Sequence, residues 1–103
     1  MEKLSETQIE EALKNVEGWK RTDQKWIQKR FRFKAFLRGV TFVNRIAELS
    51  EEVDHHPFIS IDYRVVTLKL SSWHAGGLTD LDFELAGKYN GLYEAVLTDK
   101  EEA

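Results

Sequence analysis

The sequence predicts an α+β fold in which three helices pack on one face of a four-stranded antiparallel sheet. Three observations lead to this prediction: two capping-box signatures mark helix starts, apolar residues recur at helical spacing in three segments, and two pairs of β-prone segments lie between them. The elements follow the order α-β-β-α-β-β-α, which an antiparallel sheet covered on one side satisfies best. The chain has 103 residues, which leaves room for one domain, predicted over residues 1–103.

The first helix has a well-marked start. Ser5 and Gln8 have the spacing of a capping box, so the helix is predicted to begin at Glu6. Gly18 is a natural C-terminal stop, which predicts a helix over residues 6–17. Its buried stripe consists of apolar residues at helical spacing, namely Ile9, Ala12, Leu13 and Val16.

Two hairpins are predicted from β-prone segments with a short turn between them. The first pairs residues 19–22 with residues 26–33, although Lys29 interrupts the apolar alternation of the second strand. The second hairpin pairs residues 58–63 with residues 65–70, whose side chains alternate between two faces. Together they supply the four strands of the sheet.

A long second helix separates the two hairpins. Two apolar stripes run side by side over residues 35–53, which predicts a helix with a wide buried face. Pro57 disfavours the helical conformation at His56, so the helix should end near Asp54 or His55. Both neighbouring histidines then lie where the helix gives way to extended chain.

The third helix is predicted after a break at Gly76 and Gly77. Thr79 and Asp82 form the second capping-box signature, and apolar residues continue from there at helical spacing. A carboxylate in this position reaches back to a backbone amide, so capping is the main role predicted for Asp82. The charged tail over residues 98–103 is expected to fray.

Composition excludes several classes of protein. Fifteen basic residues against 18 acidic residues give a formal net charge of -3, and basic residues cluster only over residues 25–34, so nucleic acid is not an expected partner. The absence of cysteine excludes disulfides and thiolate metal sites. The N-terminus lacks the pattern of a secretory signal and no apolar stretch has the length of a membrane span, which predicts a cytoplasmic protein without membrane contact.

The second face of the sheet needs a cover. Trp26, Phe58 and Ile59 are the apolar residues predicted to lie on it. A homodimer or homotetramer that joins sheets or stacks sheet faces is therefore expected.

All three histidines, His55, His56 and His74, lie within one twenty-residue stretch. Glu51 precedes His55 by four residues, so on a helix the two side chains share a face, and this pair and the helix dipole favour the protonated ring. Such a histidine is a candidate proton donor near neutral pH. The pattern alone leaves open whether His55 and His56 are catalytic or only cap the helix and fill a turn.

Other candidates have structural interpretations. A metal site is not predicted, because adjacent histidines on a helix point about 100° apart and no zinc spacing occurs. The glycines at 76 and 77 are interpreted as a turn with modest capacity to present amides to a ligand. Trp73 and His74 would face opposite sides if the preceding strand continued through them, so only one could enter a given pocket.

One set of residues, spread over most of the chain, resembles the pterin-4a-carbinolamine dehydratase family. The set comprises the run Glu51-Glu52-Val53-Asp54-His55-His56-Pro57, then Tyr63, Trp73, Gly76-Gly77-Leu78-Thr79 and Asp82. The resemblance implies the same α-β-β-α-β-β-α order. It also implies dehydration of 4a-hydroxytetrahydrobiopterin to quinonoid dihydropterin, which regenerates the cofactor of aromatic amino acid hydroxylases without a metal or prosthetic group.

The resemblance also implies roles for individual residues. His55 would be the principal acid and base, and His56, also catalytic, would bind the pterin. Six further residues would bind or position the substrate, namely Glu51, Pro57, Ser72, Trp73, His74 and Asp82. The family commonly has a third histidine where Trp73 stands, and His74 follows one residue later. Either Trp73 stacks on the pterin while water or His56 transfers the second proton, or His74 fills the third position.

Two alternatives from other functional classes remain open. Animal members of the family act as dimerisation coactivators of a homeodomain transcription factor, which the resemblance makes a second candidate. A diverged pterin-binding module without turnover is a third, motivated by the tryptophan at position 73. A small nucleic-acid-binding domain is disfavoured by the acidic balance.

Overall fold

The computed structural model describes residues 2–99 and confirms the predicted fold class. Four strands form one sheet in the order β1-β2-β4-β3, and each neighbouring pair is antiparallel. The elements are α1 (Glu6–Leu13), β1 (Lys20–Arg21), β2 (Ile27–Arg32), α2 (Phe36–Val53), β3 (Phe58–Asp62), β4 (Val65–Leu70), a short 3₁₀ helix (Trp73–Ala75) and α3 (Asp80–Thr98). Thr98, the first residue of the predicted frayed tail, still belongs to α3, and positions 100–103 of the tail lie outside the described residues.

Both predicted capping boxes are present. The Ser5 hydroxyl accepts the Gln8 backbone N–H at 3.2 Å, and the Gln8 side-chain oxygen accepts the Ser5 N–H at 2.8 Å. Thr79 and Asp82 form the same reciprocal pair at the start of α3. Each box satisfies amides that have no partner within the helix, which fixes where the helix begins.

Helix α1 ends at Leu13, four residues before the predicted end. The amides of Lys14, Asn15 and Val16 each bond to the carbonyl three residues earlier, and this tighter winding ends the α-helix. Gly18 follows with a φ of +83°. The apolar spacing that predicted a longer helix is retained because the tightened turn keeps Val16 in the core.

The first hairpin is shorter than predicted, because its first strand covers only Lys20–Arg21 and its second covers Ile27–Arg32. Lys29 lies on the helix-covered side of the sheet between two buried residues. Its amine donates hydrogen bonds to the Glu17 carbonyl at 2.9 Å and to the Asn90 side-chain oxygen at 2.8 Å. Lys29 thus interrupts the apolar pattern because it ties α3 to the turn after α1.

The core lies between the sheet and the helices. Alternate residues of β2 and β4 are buried on the helix-covered face, and residues of α2 and α3 pack against them; examples are Phe31, Val66, Leu68, Phe42, Ile46 and Tyr89. Within residues 2–99, no helix combines the length and the apolar character that crossing a membrane requires. The prediction of a single domain over residues 1–103 stays a prediction.

The second face of the sheet is open in the single chain. Phe58 lies opposite Lys69 in the ladder, and Trp26 contacts Phe58 with ring centroids 4.8 Å apart, so both aromatic residues lie on this face. The prediction for Ile59 is wrong. Ile59 pairs with buried Leu68 and therefore points to the helix-covered side, where it is exposed because β3 is the edge strand.

Candidate active site

A cavity of about 560 Å³ opens where the end of α2 meets the loop between β4 and α3. Its volume lies in the range of small-molecule sites. Its wall combines the histidine segment with both ends of that loop: Asp54, His55, His56, Pro57, Phe58, Ser71, Ser72, Trp73, His74, Ala75, Thr79 and Leu81. Most residues singled out in the sequence therefore meet in one place.

The end of α2 directs the two histidines. Asp54 adopts a left-handed conformation with a φ of 53°, and the amide of His55 bonds to the carbonyl of Ser50 at 3.1 Å. This turn breaks the helical phase, so the predicted Glu51–His55 pair is not formed. Glu51 instead contacts His56, with 2.5 Å between Oε2 and Nε2.

His55 pairs with a buried carboxylate from the opposite side of the cavity. Its Nε2 lies 2.8 Å from Oδ1 of Asp82, whose side chain is fully buried. The second oxygen of Asp82 accepts the Thr79 amide at 2.9 Å and the Ser72 hydroxyl at 2.7 Å. Asp82 is thus both the predicted helix cap and the partner of His55.

This contact determines which nitrogen of His55 carries a proton. A carboxylate only accepts hydrogen bonds, so Nε2 donates to Asp82 and the neutral ring keeps its lone pair on Nδ1. The imidazole can then exchange a proton at Nδ1, while Asp82 fixes its orientation through Nε2. In catalytic triads, a buried carboxylate orients the imidazole in the same way.

The loop after β4 carries Trp73 and His74 on a 3₁₀ turn and not on a continued strand. Both residues line the cavity, so the expectation that only one could enter it is wrong. The backbone bridge between Ser72 and Gly77 closes this turn and removes the strand alternation. Trp73 is 70% exposed, and its ring centroid lies 6.0 Å from that of Phe58.

The glycine amides of this loop form hydrogen bonds within the loop. Gly76 N–H donates to the Trp73 carbonyl at 3.1 Å, and Gly77 N–H donates to the Ser72 carbonyl at 3.3 Å. The interpretation of the pair as a turn is confirmed, and neither amide is directed at a ligand.

Six of the eight predicted site residues line the cavity directly: His55, His56, Pro57, Ser72, Trp73 and His74. Glu51 and Asp82 do not line the cavity, and each contacts one of the lining histidines. Sequence reasoning missed Asp54, Phe58, Ser71, Ala75, Thr79 and Leu81 as lining residues. Five of the six are adjacent to predicted positions, so proximity along the chain was the available signal, and Thr79 is the capping partner of Asp82. Within residues 2–99, no three potential ligands gather as a metal site would require.

A family model described as pterin 4 alpha carbinolamine dehydratase matches residues 2–92. The chain belongs to the pterin-4a-carbinolamine dehydratase family. A dehydratase eliminates water and is a lyase, so this membership places the chain in an enzyme family of that class.

Curated relatives from this dehydratase family are similar to the chain over most of their length. A protein of Picosynechococcus sp. is 44% identical over 90 residues, which cover 87% of this chain and 97% of the relative. A protein of Sulfolobus acidocaldarius is 43% identical, with coverage of 85% and 96%. Both carry the name pterin-4-alpha-carbinolamine dehydratase as a provisional one.

Solved structures show the same fold. A protein of Brucella melitensis described as a transcriptional coactivator/pterin dehydratase superposes with a TM-score of 0.85 at 33% identity, and the match covers 88% of this chain and 98% of that one. A pterin dehydratase-like protein described as a RuBisCO assembly factor in the alpha-carboxysome gives a TM-score of 0.64 at 24% identity, with coverage of 74% and 89%. The second likeness supports the fold alone.

Proposed function

We propose that this chain dehydrates 4a-hydroxytetrahydrobiopterin to quinonoid dihydropterin and water by histidine acid-base catalysis. The observation that carries the proposal is the contact of buried Asp82 with His55, which lines a cavity of about 560 Å³. A buried carboxylate that orients an imidazole is an arrangement suited to proton transfer near neutral pH.

The reaction needs two proton transfers and no redox step. The bond between C4a and its hydroxyl breaks as an acid protonates the departing oxygen, which leaves as water. The proton on ring nitrogen N5 passes to a base, and the C4a–N5 double bond forms. The proposal therefore includes neither a metal nor a prosthetic group, since the pterin is the substrate and imidazoles suffice for both transfers.

Individual roles follow from the contacts. His55 is the principal acid and base through Nδ1, and Asp82 holds it through Nε2. Ser72 in turn positions Asp82 by donating its hydroxyl to Oδ2. Glu51 orients His56, which binds the pterin and is the candidate for the second proton transfer. Exposed Trp73 supplies a face for stacking on the pterin, and Pro57 and His74 complete the wall.

The test compares the decay of 4a-hydroxytetrahydropterin, followed by ultraviolet absorbance, with the wild-type chain and with His55→Ala. Wild type should accelerate the decay, and His55→Ala should lower the catalysed rate by about 100-fold or more because the main acid and base is lost. His74→Ala is the matched histidine variant, and a much smaller loss is expected because no carboxylate partner of His74 is found within residues 2–99.

Either of two results would reject the catalytic proposal. Pterin affinity without any acceleration by wild type would favour a binding module, and equal losses in the two histidine variants would remove the special role of His55. Retained helix content in both variants, measured by circular dichroism, ensures that the comparison concerns folded protein.

The edge strand provides the surface for the homodimer that we include in the proposal. All five residues of β3 are exposed, and Ile59 and Ile61 leave apolar area at 38% and 43% exposure. Pairing of two β3 strands would extend the sheet and cover this edge. Sedimentation of the wild type at micromolar concentration should give at least a dimer mass, and Ile61→Lys should reduce it; a monomeric wild type would contradict the proposal.

The proposed setting is the cytoplasm, where the chain returns the pterin to an aromatic amino acid hydroxylase. The support is the family membership, since a dehydrated pterin must be reduced before it can be used again. Addition of the chain to a hydroxylase assay with limiting pterin and an excess of a reductant for the dihydropterin should raise the number of turnovers per pterin. No increase at saturating chain would reject the link to a hydroxylase.

A further inference from the structure

Charge is divided unequally between the two layers of the molecule. The three helices contain ten acidic and three basic side chains, whereas the four strands contain six basic side chains and one acidic side chain. The sheet is therefore basic although the chain as a whole has a net charge of -3. A local field of one sign affects what a surface attracts, whatever the total charge.

The strand register places four of these six cations on the open face. Ile27, Lys29 and Phe31 point to the helices, so Arg30 and Arg32 point away from them. Gln28 points to the same side, so its two ladder partners, Lys20 and Lys69, also lie on the open face. We call the four cations the basic track: Lys20, Arg30, Arg32 and Lys69.

The basic track begins at the wall of the active-site cavity. Lys69 holds its amine 5.3 Å from the ring centroid of Trp26, and the Trp26 ring lies 4.8 Å from that of Phe58. Phe58 lines the cavity, and the ring of Trp73 packs edge-on against Trp26 at 6.3 Å. A ligand that leaves the cavity across Trp26 therefore meets Lys69 first.

The track continues along β2 at a regular spacing. Lys69 pairs with Gln28, and the next residues on the same side of that strand are Arg30 and Arg32. Alternate residues of a strand lie about 7 Å apart, so the cations form a row that leads away from the cavity. Asp62 lies at the far end, where it accepts the Ser60 hydroxyl at 2.9 Å.

We propose that, besides the neutral biopterin substrate, the cavity accepts pterins that carry an anionic tail of carboxylates or phosphates, and that this tail lies along the basic track. The inference rests on the proposed function and specifies its substrate class. A short neutral side chain would leave the row of cations without a counter-charge, whereas a tail with repeated anionic groups pairs with successive cations and is drawn toward the cavity.

Calorimetric titration of the full chain with three stable pterins tests the proposal. The probes are neutral 6-hydroxymethylpterin, its diphosphate and pteroyl-triglutamate. At low salt, at least one anionic probe should bind about tenfold more tightly than the neutral pterin, and added salt should remove the advantage. A gain for the diphosphate alone assigns phosphate as the anion, and a gain for the triglutamate alone assigns carboxylates.

Variants locate the effect. Arg30→Glu should abolish the advantage of the triglutamate and leave the affinity for neutral 6-hydroxymethylpterin within about twofold, because Arg30 lies outside the cavity wall. Lys88 is exposed on α3, in the helical layer, so Lys88→Glu makes the same charge reversal away from the basic track. This variant should still bind the triglutamate more tightly than the neutral pterin. Arg32→Glu, also exposed on β2, repeats the test if the first variant folds poorly.

The outcomes separate this inference from the proposed function. Equal affinity for all three pterins, with dehydration intact, would reject binding of an anionic tail along the basic track but would leave the proposed function standing. A triglutamate peptide without pterin that binds as tightly as pteroyl-triglutamate also overturns it, since the face would then be a docking site for acidic peptides. Absence of both pterin binding and dehydration would instead reject the proposed function.

Discussion

At the scale of single residues, Trp73 is where this chain departs from the commonest family pattern. Its indole is 70% exposed at the cavity wall and offers a stacking face without a transferable proton. Trp73→His should therefore raise kcat several-fold by adding an imidazole. The same change should raise KM by about tenfold, because stacking of an aromatic base contributes roughly 1–3 kcal/mol.

The check is steady-state dehydration with Trp73→Phe as the control. That variant keeps an aromatic face without an imidazole, so its KM should stay close to that of wild type and its kcat should not rise. An unchanged kcat in Trp73→His would show that the second proton transfer already has its group.

The sequence identified His55 and His56 but misassigned their partners. Glu51 lies four residues before His55, so helical spacing predicted that the two would pair. The left-handed turn at Asp54 ends the helical spacing, and Glu51 contacts His56 instead. His55 bonds to Asp82, 27 residues away. No local pattern contains a contact of that separation, and the capping signature had predicted only a capping role for Asp82.

At the scale of helices and strands, starts were predicted better than ends. A capping box depends on two side chains within four residues, so both could be read directly from the sequence. The end of α1 depends on tertiary packing, because Val16 and Trp19 enter the core through a tightened turn. The 3₁₀ turn at Trp73 likewise depends on the bridge from Ser72 to Gly77 across the loop.

Two glycines offer a prediction about these elements. Gly91 lies exposed within α3 and has open space where a methyl group would be added, so Gly91→Ala should stabilise the protein by about 0.5–1 kcal/mol. Gly18 has a φ of +83°, and an added Cβ would come 2.7 Å from Cε of Lys29. Gly18→Ala should therefore destabilise the protein by about 1–2 kcal/mol.

Urea unfolding of both variants at pH 7 measures the two free energies with the same substitution in opposite environments. A loss in Gly91→Ala would show that α3 needs flexibility at that position. A neutral Gly18→Ala would show that the turn after α1 tolerates rearrangement of Lys29 and its bond to the Glu17 carbonyl.

At the scale of the whole molecule, the order of elements and the covered face of the sheet followed from the sequence because they depend on periodicity. The lateral strand order and the direction of Ile59 toward the helix-covered side did not, since both depend on pairing between separate strands. The same pairing gathers the basic track from β1, β2 and β4. The clustering of basic residues on one face of the sheet therefore depends on the strand register, and the net charge of the chain could not reveal it.

The pH dependence of global stability can be derived from two tyrosines. Burial raises the pKa of Tyr89 above its ordinary value, the bond to Ser50 opposes this, and the charge of Asp82 adds to it. Burial likewise raises the pKa of Tyr93, with Glu94 adding to the effect and the Arg32 carbonyl opposing it. Above about pH 10, the unfolded chain loses phenol protons that the native state still holds. The stability is fully present below the unfolded pKa values and is lost as the pH rises through the native ones.

Urea unfolding at pH 8 and pH 11 should show a loss of stability in wild type that is smaller in Tyr93→Phe and smallest in Tyr89→Phe/Tyr93→Phe. Tyr63→Phe removes a phenol that is 68% exposed and serves as the control. Burial lowers the pKa of Lys29, which makes stability rise toward pH 10.5, but Lys29 is present in every variant and cancels from the comparison. Equal losses in wild type and the double variant would mean that other groups control alkaline unfolding.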